Sequence, residues 1–558
     1  MPSSAPLFRL LSYSTTNVGD DIQSLAAAQF LPKSHGFLDR DHLETVYEPC
    51  AAILNGWHTH RSEAWPPSPF LCPLLESICI PDDETAERTF SSRAARKYLK
   101  THGPVGARDT NTLSKLRAWG IDSHFSGCLT TTFPRYDGPR GRRVFFVDYW
   151  PESDPAPKRV NHPQLTRALP EWVREQAVCV GHTWPQLARM HPADRLGLAA
   201  SLLERYRRAH LIVTTRLHCA LPAMAMGTPV YFIAPAFQPE RVAGWEEWLE
   251  VVTRGDIEAG RVDWEHPPAP RLPEPSLLRA RCESFVQSVS SREANGLRGP
   301  RAARKTQERE VLAISLPREA VRREALTEML AQHWGGPSVL LPAVDGARLA
   351  LDTLRRRGVL AECARLGRPM RHGEVGCWLS HLFSLDYFVR YGGESIIVLE
   401  DDARFVPNVR QQLSRRLEAL TRSCPTWDFC MLGCYEGEGS WAPRRPERLM
   451  SGDFFVIRGE SSGTPGSYGY VVSRAGAQKL LRRMCSAGIG TPIDEVLREE
   501  AERDLVVVCA SPALVEVSGQ DSTILGQVQR PVSPMLTDSV VAAYAACRGK
   551  YARTAWRH

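Results

Sequence analysis

Short apolar runs recur along the chain and alternate with longer amphipathic stretches. In the upstream half LFRLLSYS, AAILNGW, GPVGARD, RVFFVDYW, AVCVGHT, LIVTTR and PVYFIA read as strands, each short and bounded by turn-forming residues. Between them IQSLAAAQFL, AERTFSSRAARKYLKT, TNTLSKLRAWG and ADRLGLAASLLERYRRA repeat apolar residues at helical spacing. Strand and helix in alternation predict parallel sheets in one or two Rossmann-like lobes. Downstream, VLAISL, SVLLPAV, IIVLED, WDFCMLG, FFVIRG, YGYVVS and LVVVCA repeat the alternation, which predicts a second α/β unit with a more mixed sheet.

The pattern breaks between Glu265 and Glu310. HPPAPRLPEP leads into a short helical patch, LLRARCESFVQSV, and then into SSREANGLRGPRAARKTQERE, a basic and polar stretch that reads as a linker. The expected organisation is an upstream unit over 1–290, a linker over 291–309 and a downstream unit over 310–558. A chain of 558 residues exceeds one core at a prior of ~150 residues per domain, so internal division within these units is expected.

Composition narrows the class. An apolar fraction of 43% and a charged fraction of 24% are those of a globular protein, and no run approaches the ~18 apolar residues of a membrane span. The first residues, MPSSAPLFRLLSYSTTN, lack a basic segment followed by a long apolar one, so a cytoplasmic location is expected. The 15 cysteines form no CxxC pair and sit mostly inside apolar runs, which favours structural thiols over a disulfide framework. The net charge of +6 is dispersed, and no nucleic-acid motif with interleaved aromatics accompanies it. The balance fits anionic small substrates or peripheral contact with the inner face of a membrane.

Chemistry concentrates in two places. In TTNVGDDIQ, residues 15–23, Asn17, Gly19 and Asp20 stand at a strand-to-helix turn, where they either cap the helix or face a ligand. GARDTNTL sets Arg108 and Asp109 in the same kind of position. LIVTTRLHCALPAMAMGTPVYFI, residues 211–233, ends a buried strand in Arg216 and His218 before a helix, where α/β proteins bind anions. The bland alternative is a helix-end arginine paired with a carboxylate and a packed histidine. NxGDxxQ, NGW at 55–57, GARDxxT, FSGCLT ending at Thr130 and TTRLHCALPAMAMGTPV, in this order over about residues 8–250, resemble the polysaccharide pyruvyl transferase family. The resemblance implies a two-lobed, GT-B-like fold, phosphoenolpyruvate as donor and a sugar diol as acceptor, with no cofactor beyond the donor. In that chemistry Arg216 and Arg108 suit the donor phosphate and carboxylate, His218 the general acid, Asp20 a base for an acceptor hydroxyl, and Asn17 a substrate contact.

The second place opens with VLAISLPREAVRREALTEML, where Arg318, Arg322 and Arg323 lie near a helix start that could dock a diphosphate. GEVGCWLSHLFSLDYF places Ser380 and His381 on a helix, facing either substrate or the core. IIVLEDDARF, residues 396–405, then ends a strand in Glu400, Asp401 and Asp402, three acids that repel unless a cation or arginines compensate. Alternation along an extended chain predicts that Glu400 and Asp402 share a face while Asp401 points away, with Asp402 and Glu400 the metal candidates. GTPGSYGYVVSRAGAQKLL supplies Tyr470, and PIDEVL supplies Asp494, either a base for an acceptor hydroxyl or an ordinary helix-start acid.

ISLPR with the arginines after it, VDG at 344–346, GEVGCWLSH, VLEDDARF, SYGYVVSRAGAQKLL, PIDEVL and QDSTI at 520–524 resemble glycosyltransferase family 25 over about residues 311–525. The resemblance implies a GT-A-type fold, a nucleotide sugar donor with UDP-galactose the leading candidate, Mn²⁺ or Mg²⁺, and inversion at the anomeric carbon. Arg318, Arg322, Ser380, His381, Glu400, Asp401 and Tyr470 are then the expected substrate contacts. Ser315 stands where the family often has Asn, which leaves the donor open. The expectation for the whole chain is a bifunctional transferase of bacterial surface-glycan assembly, acting on a saccharide or lipid-linked glycan. A different transferase upstream, or a glycan-binding module without catalysis, is the alternative.

Overall fold

A computed structural model describes residues 7–552 apart from 34, 59, 62–64, 149–167, 234–241, 295–308, 362–367, 434–446, 449–452, 457–465 and 519–529. The upstream half begins with β1 (Arg9–Ser12), α1 (Val18–Ala28), β2 (Gly36–Asp39), β3 (Cys50–Trp57), β4 (Leu71–Cys79), β5 (Val105–Ala107) and β6 (Ser123–Phe125). Strands β3, β4, β5 and β6 form one parallel sheet in that order, and β1 pairs in parallel with β2 while Phe8 bridges to Ala51 of β3. A second parallel sheet, ordered β10-β9-β7-β8, is built from β7 (Val144–Val147), β8 (Ala177–Val180), β9 (Leu211–Thr214) and β10 (Val230–Phe232). Its β7 and β9 are VFFV and LIVT, buried at every position, the pattern of strands covered on both faces. Helices α2 (Pro192–Tyr206) and α3 (Leu217–Ala225) pack on α1 and join the two lobes.

All seven upstream runs read as strands contain one. The sequence reading missed β4, because Pro73 and Glu76 interrupt its apolar run, and it missed the short β2 and β6. Helix α4 (Ser276–Ala294) runs through part of the expected linker region and past its start at 291. Leu278, Cys282, Phe285 and Val289 recur at helical spacing and pack with Leu10, Ile53 and Leu129, so this stretch buries more than its composition suggests.

The downstream half is one eight-stranded mixed sheet, ordered β12-β11-β13-β18-β15-β19-β17-β16. Its strands are β11 (Val311–Ser315), β12 (Ser338–Pro342), β13 (Ser395–Glu400), β15 (Phe429–Met431), β16 (Glu447–Arg448), β17 (Phe454–Val456), β18 (Gly469–Ser473) and β19 (Val507–Ala510). Strands β12, β11 and β13 are parallel, and β18 runs against β13. A separate antiparallel ribbon joins β14 (Ala403–Phe405) to β20 (Val515–Val517). The helices that matter here are α5 (Ala320–Met329), α6 (His372–Tyr391), α7 (Arg474–Ala487), α8 (Ile493–Ala501) and α9 (Pro534–Tyr551). The chain is therefore mixed α/β with several parallel sheets. QDSTI at 520–524 lies outside the described residues.

The halves share a core. Leu38, Tyr47, Leu71 and Leu99 belong to the same apolar cluster as Leu312, Leu382 and Val540. Tyr47 stacks on Phe383 with ring centroids 4.8 Å apart, and Phe70 meets Tyr387 edge-on at 5.2 Å. Ser539 of α9 donates to the Thr45 carbonyl at 3.0 Å. Among the described residues no helix is long and apolar enough to cross a membrane.

Candidate functional sites

In the upstream half the carboxyl ends of β7 and β9 carry the polar groups, as expected for a parallel sheet. Arg216 is the N-cap of α3, and its Nε donates to Asp148 Oδ2 at 2.6 Å while Nη2 reaches Thr183 at 3.4 Å. Asp148 follows β7 with a left-handed φ of 48° and accepts the His182 backbone N–H at 3.2 Å. His182 is fully buried, donates to or accepts from the Tyr206 hydroxyl at 2.9 Å, and is held neutral by burial, its pKa lowered to about 4. Thr16 and Val18 hydrogen-bond to Trp184 and His182, which fixes the start of α1 against this edge.

Asn17 caps α1, its Oδ1 accepting the Gly19 N–H at 3.0 Å. A Cβ on Gly19 would stand 3.3 Å from His218 Cβ, so the glycine of NxGD leaves room for the histidine of TTRLH. Asn17, His218 and Arg216 thus converge where the amino ends of α1 and α3 meet. Asp20 sits one turn further in, buried, accepting from Thr15 at 2.8 Å and lying 3.4 Å from the buried Arg40. Arg108 is not part of this group. Its side chain is 1% exposed, donates to Cys79 Sγ at 2.6 Å and lies beside Asp109, while its carbonyl accepts the Trp245 indole N–H. Asp148, Thr183 and Arg40 went unread in the sequence. Asp148 had a legible signal, an acid one residue past a fully apolar strand.

The downstream site forms where β11 and β13 end side by side, Ile314 opposite Glu400. Ser315 donates to Asp401 Oδ2 at 2.7 Å, and Arg322 of α5 reaches Oδ1 at 3.3 Å. Glu400 turns the other way, toward His381 Nε2 at 3.2 Å and the Ser467 hydroxyl at 2.7 Å. Strand alternation does not set the direction of Asp402, because β13 ends at Glu400 and Asp401–Asp402 is a turn into β14. Asp402 is fixed by its carbonyl, which accepts the Ser518 N–H at 2.8 Å, and its buried Oδ1 has no hydrogen-bond partner.

Burial opposes ionisation of Glu400, yet the hydrogen bond and charge of His381 and the Ser467 hydroxyl carry it below the usual carboxylate range. Burial, then the charges of Glu400 and Asp401, push Asp402 up to about 7. Asp494, at the start of α8, accepts the Ser467 N–H at 2.8 Å and is pushed up to about 7 by burial and by Glu400. The crowded acids and the orphan Asp402 oxygen fit a hard divalent cation at Asp402 and Glu400.

Other expected contacts have structural partners. Ser380 donates to the Gly376 carbonyl at 2.6 Å and accepts the Val344 N–H at 2.8 Å, so it pins the VDG turn to α6 at the edge of the site. Tyr470 is buried, with its hydroxyl 2.9 Å from His381 Nδ1, and so orients the imidazole. Arg318 joins Asp345 at 3.0 Å and Glu319 at 2.6 Å. Arg323 is half-buried with its buried Nη1 unpartnered, and desolvation lowers its pKa to about 10 against the charges of Glu44 and Asp401. Glu44 belongs to the upstream half, so its charge acts on the edge of this site.

Residues 87–236 match the family profile described as polysaccharide pyruvyl transferase, and residues 308–497 match that of glycosyltransferase family 25 (LPS biosynthesis protein). Both resemblances drawn from the motifs hold at these positions. The chain is 33% identical over 223 residues to the human inactive glycosyltransferase 25 family member 3, covering 37% of this chain and 36% of that one. It is 30% identical over 194 residues to a glycosyltransferase 25 family member of Aedes aegypti, 34% and 30% of the two chains. It is 29% identical over 222 residues to procollagen galactosyltransferase 1 of Danio rerio, 37% and 36%. The chain spans about a third of the length of these relatives.

Proposed function

We propose that the chain is a bifunctional transferase of bacterial surface-glycan assembly, working in the cytoplasm. The downstream unit transfers a hexose, with galactose favoured, from a nucleotide sugar to a saccharide with inversion. The upstream unit transfers pyruvate from phosphoenolpyruvate to a sugar diol as a ketal. GT-A-type and GT-B-like architectures belong to this reading. The observation that carries it is the convergence of Arg322, Glu400, Asp401, Asp402 and Asp494 at the carboxyl edge of β11 and β13, inside the segment that matches glycosyltransferase family 25.

Inverting transfer needs a base for the acceptor hydroxyl and positive charge at the leaving diphosphate. Asp494 has a pKa near neutrality, which suits a group that accepts a proton during turnover. Arg322 and Arg318 flank the donor side, and Asp401 holds Arg322 in place. A bound Mn²⁺ or Mg²⁺, held by Asp402 and Glu400, would neutralise charge on the departing nucleoside diphosphate. His381 steadies Glu400, and Tyr470 steadies His381. Nucleotide-sugar turnover should require Mn²⁺ or Mg²⁺ and fall at least ~100-fold in Asp402→Ala with the fold intact; full turnover of that variant in chelator would refute the assignment.

Upstream, ketal formation adds a proton to the enol methylene, joins two acceptor oxygens to C2 and expels phosphate. In this reading His218 gives the proton, and Arg216 with the amino end of α3 holds the phosphate; the N-cap position of Arg216 and the closeness of His218 to Gly19 support it. Asp20, beside Arg40, is the candidate base. Phosphate release from phosphoenolpyruvate in the presence of a β-galactoside tests this half, and no release with no gain in acceptor mass would sink it.

A second reading is that one half binds glycan without catalysis. It is favoured by the burial of Arg108, by the Arg216–Asp148 ion pair and by a relative named inactive. It predicts saccharide binding that is lost in Arg216→Ala with no turnover in the parent protein.

A further inference from the structure

Cys377 and His381 are four residues apart on α6, so one helical turn brings both side chains to the same face. Opposite them stands Glu400 at the end of β13. One ligand atom from each, the thiol sulfur, an imidazole nitrogen and a carboxylate oxygen, lie within 4.8 Å of one another. All three line a cavity of about 50 Å³, together with Ser315, Ser380 and Asp401. That space is ample for an ion with water beside it, since holding one water takes only about 10–15 Å³ of such space. The outer contacts are those of a metal centre: the Tyr470 hydroxyl at 2.9 Å from His381 Nδ1 fixes the ring, and the Ser467 hydroxyl at 2.7 Å fixes Glu400.

We propose that Cys377, His381 and Glu400 form a site for a thiophilic divalent cation, Zn²⁺ or Co²⁺, with its fourth position open to the cavity. A sulfur, nitrogen and oxygen set favours such ions over Mg²⁺ or Mn²⁺, which prefer oxygen alone. Binding releases two protons, one from the Cys377 thiol and one from Nε2 of the charged His381, which frees Nε2 for the metal while the Nδ1 proton stays donated to the Tyr470 oxygen. Glu400 also belongs to the hard-cation pair Glu400 and Asp402, so thiophilic occupancy competes with that ion and blocks hexose transfer. Only this competition rests on the glycosyl-transfer reading.

Titration of the chelator-treated full chain with Co²⁺ tests the site. One ion per chain should give a near-ultraviolet thiolate-to-cobalt charge-transfer band. Cys377→Ser should lose the band and weaken binding at least ~10-fold, Tyr470→Phe should weaken it ~10-fold with the band kept, and Asp402→Asn should keep both. A band that persists in Cys377→Ser, or one-to-one binding without a band in the parent protein, would overturn the proposal. X-ray absorption of the zinc-loaded parent protein needs no variant: a sulfur at ~2.3 Å is expected, and an all-oxygen and nitrogen shell contradicts it. Zinc inhibition of nucleotide-sugar turnover, relieved in Cys377→Ser, reports on the competition separately from the cobalt spectrum.

Discussion

Gly19 lies in the first turn of α1, where alanine would ordinarily strengthen the helix by about 0.5–1 kcal/mol. A methyl there would press on His218 and on Asn17 Oδ1, at 3.3 and 3.1 Å. Gly19→Ala should therefore leave thermal stability within about 1 kcal/mol of the parent while lowering phosphate release from phosphoenolpyruvate ~10-fold or more. Unchanged release would separate His218 from the chemistry. Asp494 gives a prediction with a sign. Its folded pKa of about 7 lies above the ordinary 3.8, so the stability held by the protonated form is full below about 3.8 and lost as pH rises through about 7. In chelator, Asp494→Asn should raise Tm more at pH 8 than at pH 5, and an equal gain at both would remove the burial argument. The same variant should cut hexose transfer at least ~100-fold. Arg216, His218 and the acid triplet were legible as residues because polar groups at strand ends stand out. Their pairing was not, since Asp148, Ser467 and the turn at Asp401–Asp402 are set by contacts distant in sequence.

At the scale of elements, α6 and the VDG turn fit together through two glycines. A Cβ on Gly346 would collide with the His372 carbonyl, and one on Gly376 would stand 2.5 Å from the Val344 carbonyl. Gly346→Ala should cost about 1–3 kcal/mol by overpacking, read as a lower denaturation midpoint, and a neutral result would mean that the turn can move away from α6. This explains GEVGCWLSH and VDG as partners in packing, with Ser380 sealing the contact, and leaves Cys377 and His381 on the face that meets Glu400. Most strands and helices were readable because their runs keep one period. β4 was not, because Pro73 and the fully buried Glu76 break its apolar run, and the compensation comes from Arg281 on α4 and His124 on β6. No local window contains those partners.

At the scale of the whole molecule the two halves meet through a common core, which the linker-like composition near residue 295 did not foretell. Tyr47 is 2% exposed and stacked on Phe383 of α6, the helix that carries His381. Tyr47→Ala should destabilise by about 3–5 kcal/mol and lower the unfolding of both halves together. Two separate transitions, with only the upstream one shifted, would show that the halves unfold independently. The charge of Glu44 acting on the half-buried Arg323, which also feels Asp401, ties the upstream half to the downstream site, and Glu44→Gln should reduce hexose transfer without touching a substrate. The central claim, two transfers by one chain, is tested most directly by mass spectrometry of a saccharide acceptor incubated with the full chain, mixed nucleotide sugars, Mn²⁺ and phosphoenolpyruvate. The account predicts a product heavier by one hexose and one pyruvate ketal, with the hexose gain lost in Asp402→Ala and the ketal gain lost in His218→Ala. An acceptor panel unchanged in mass, or gains that survive both substitutions, would contradict it.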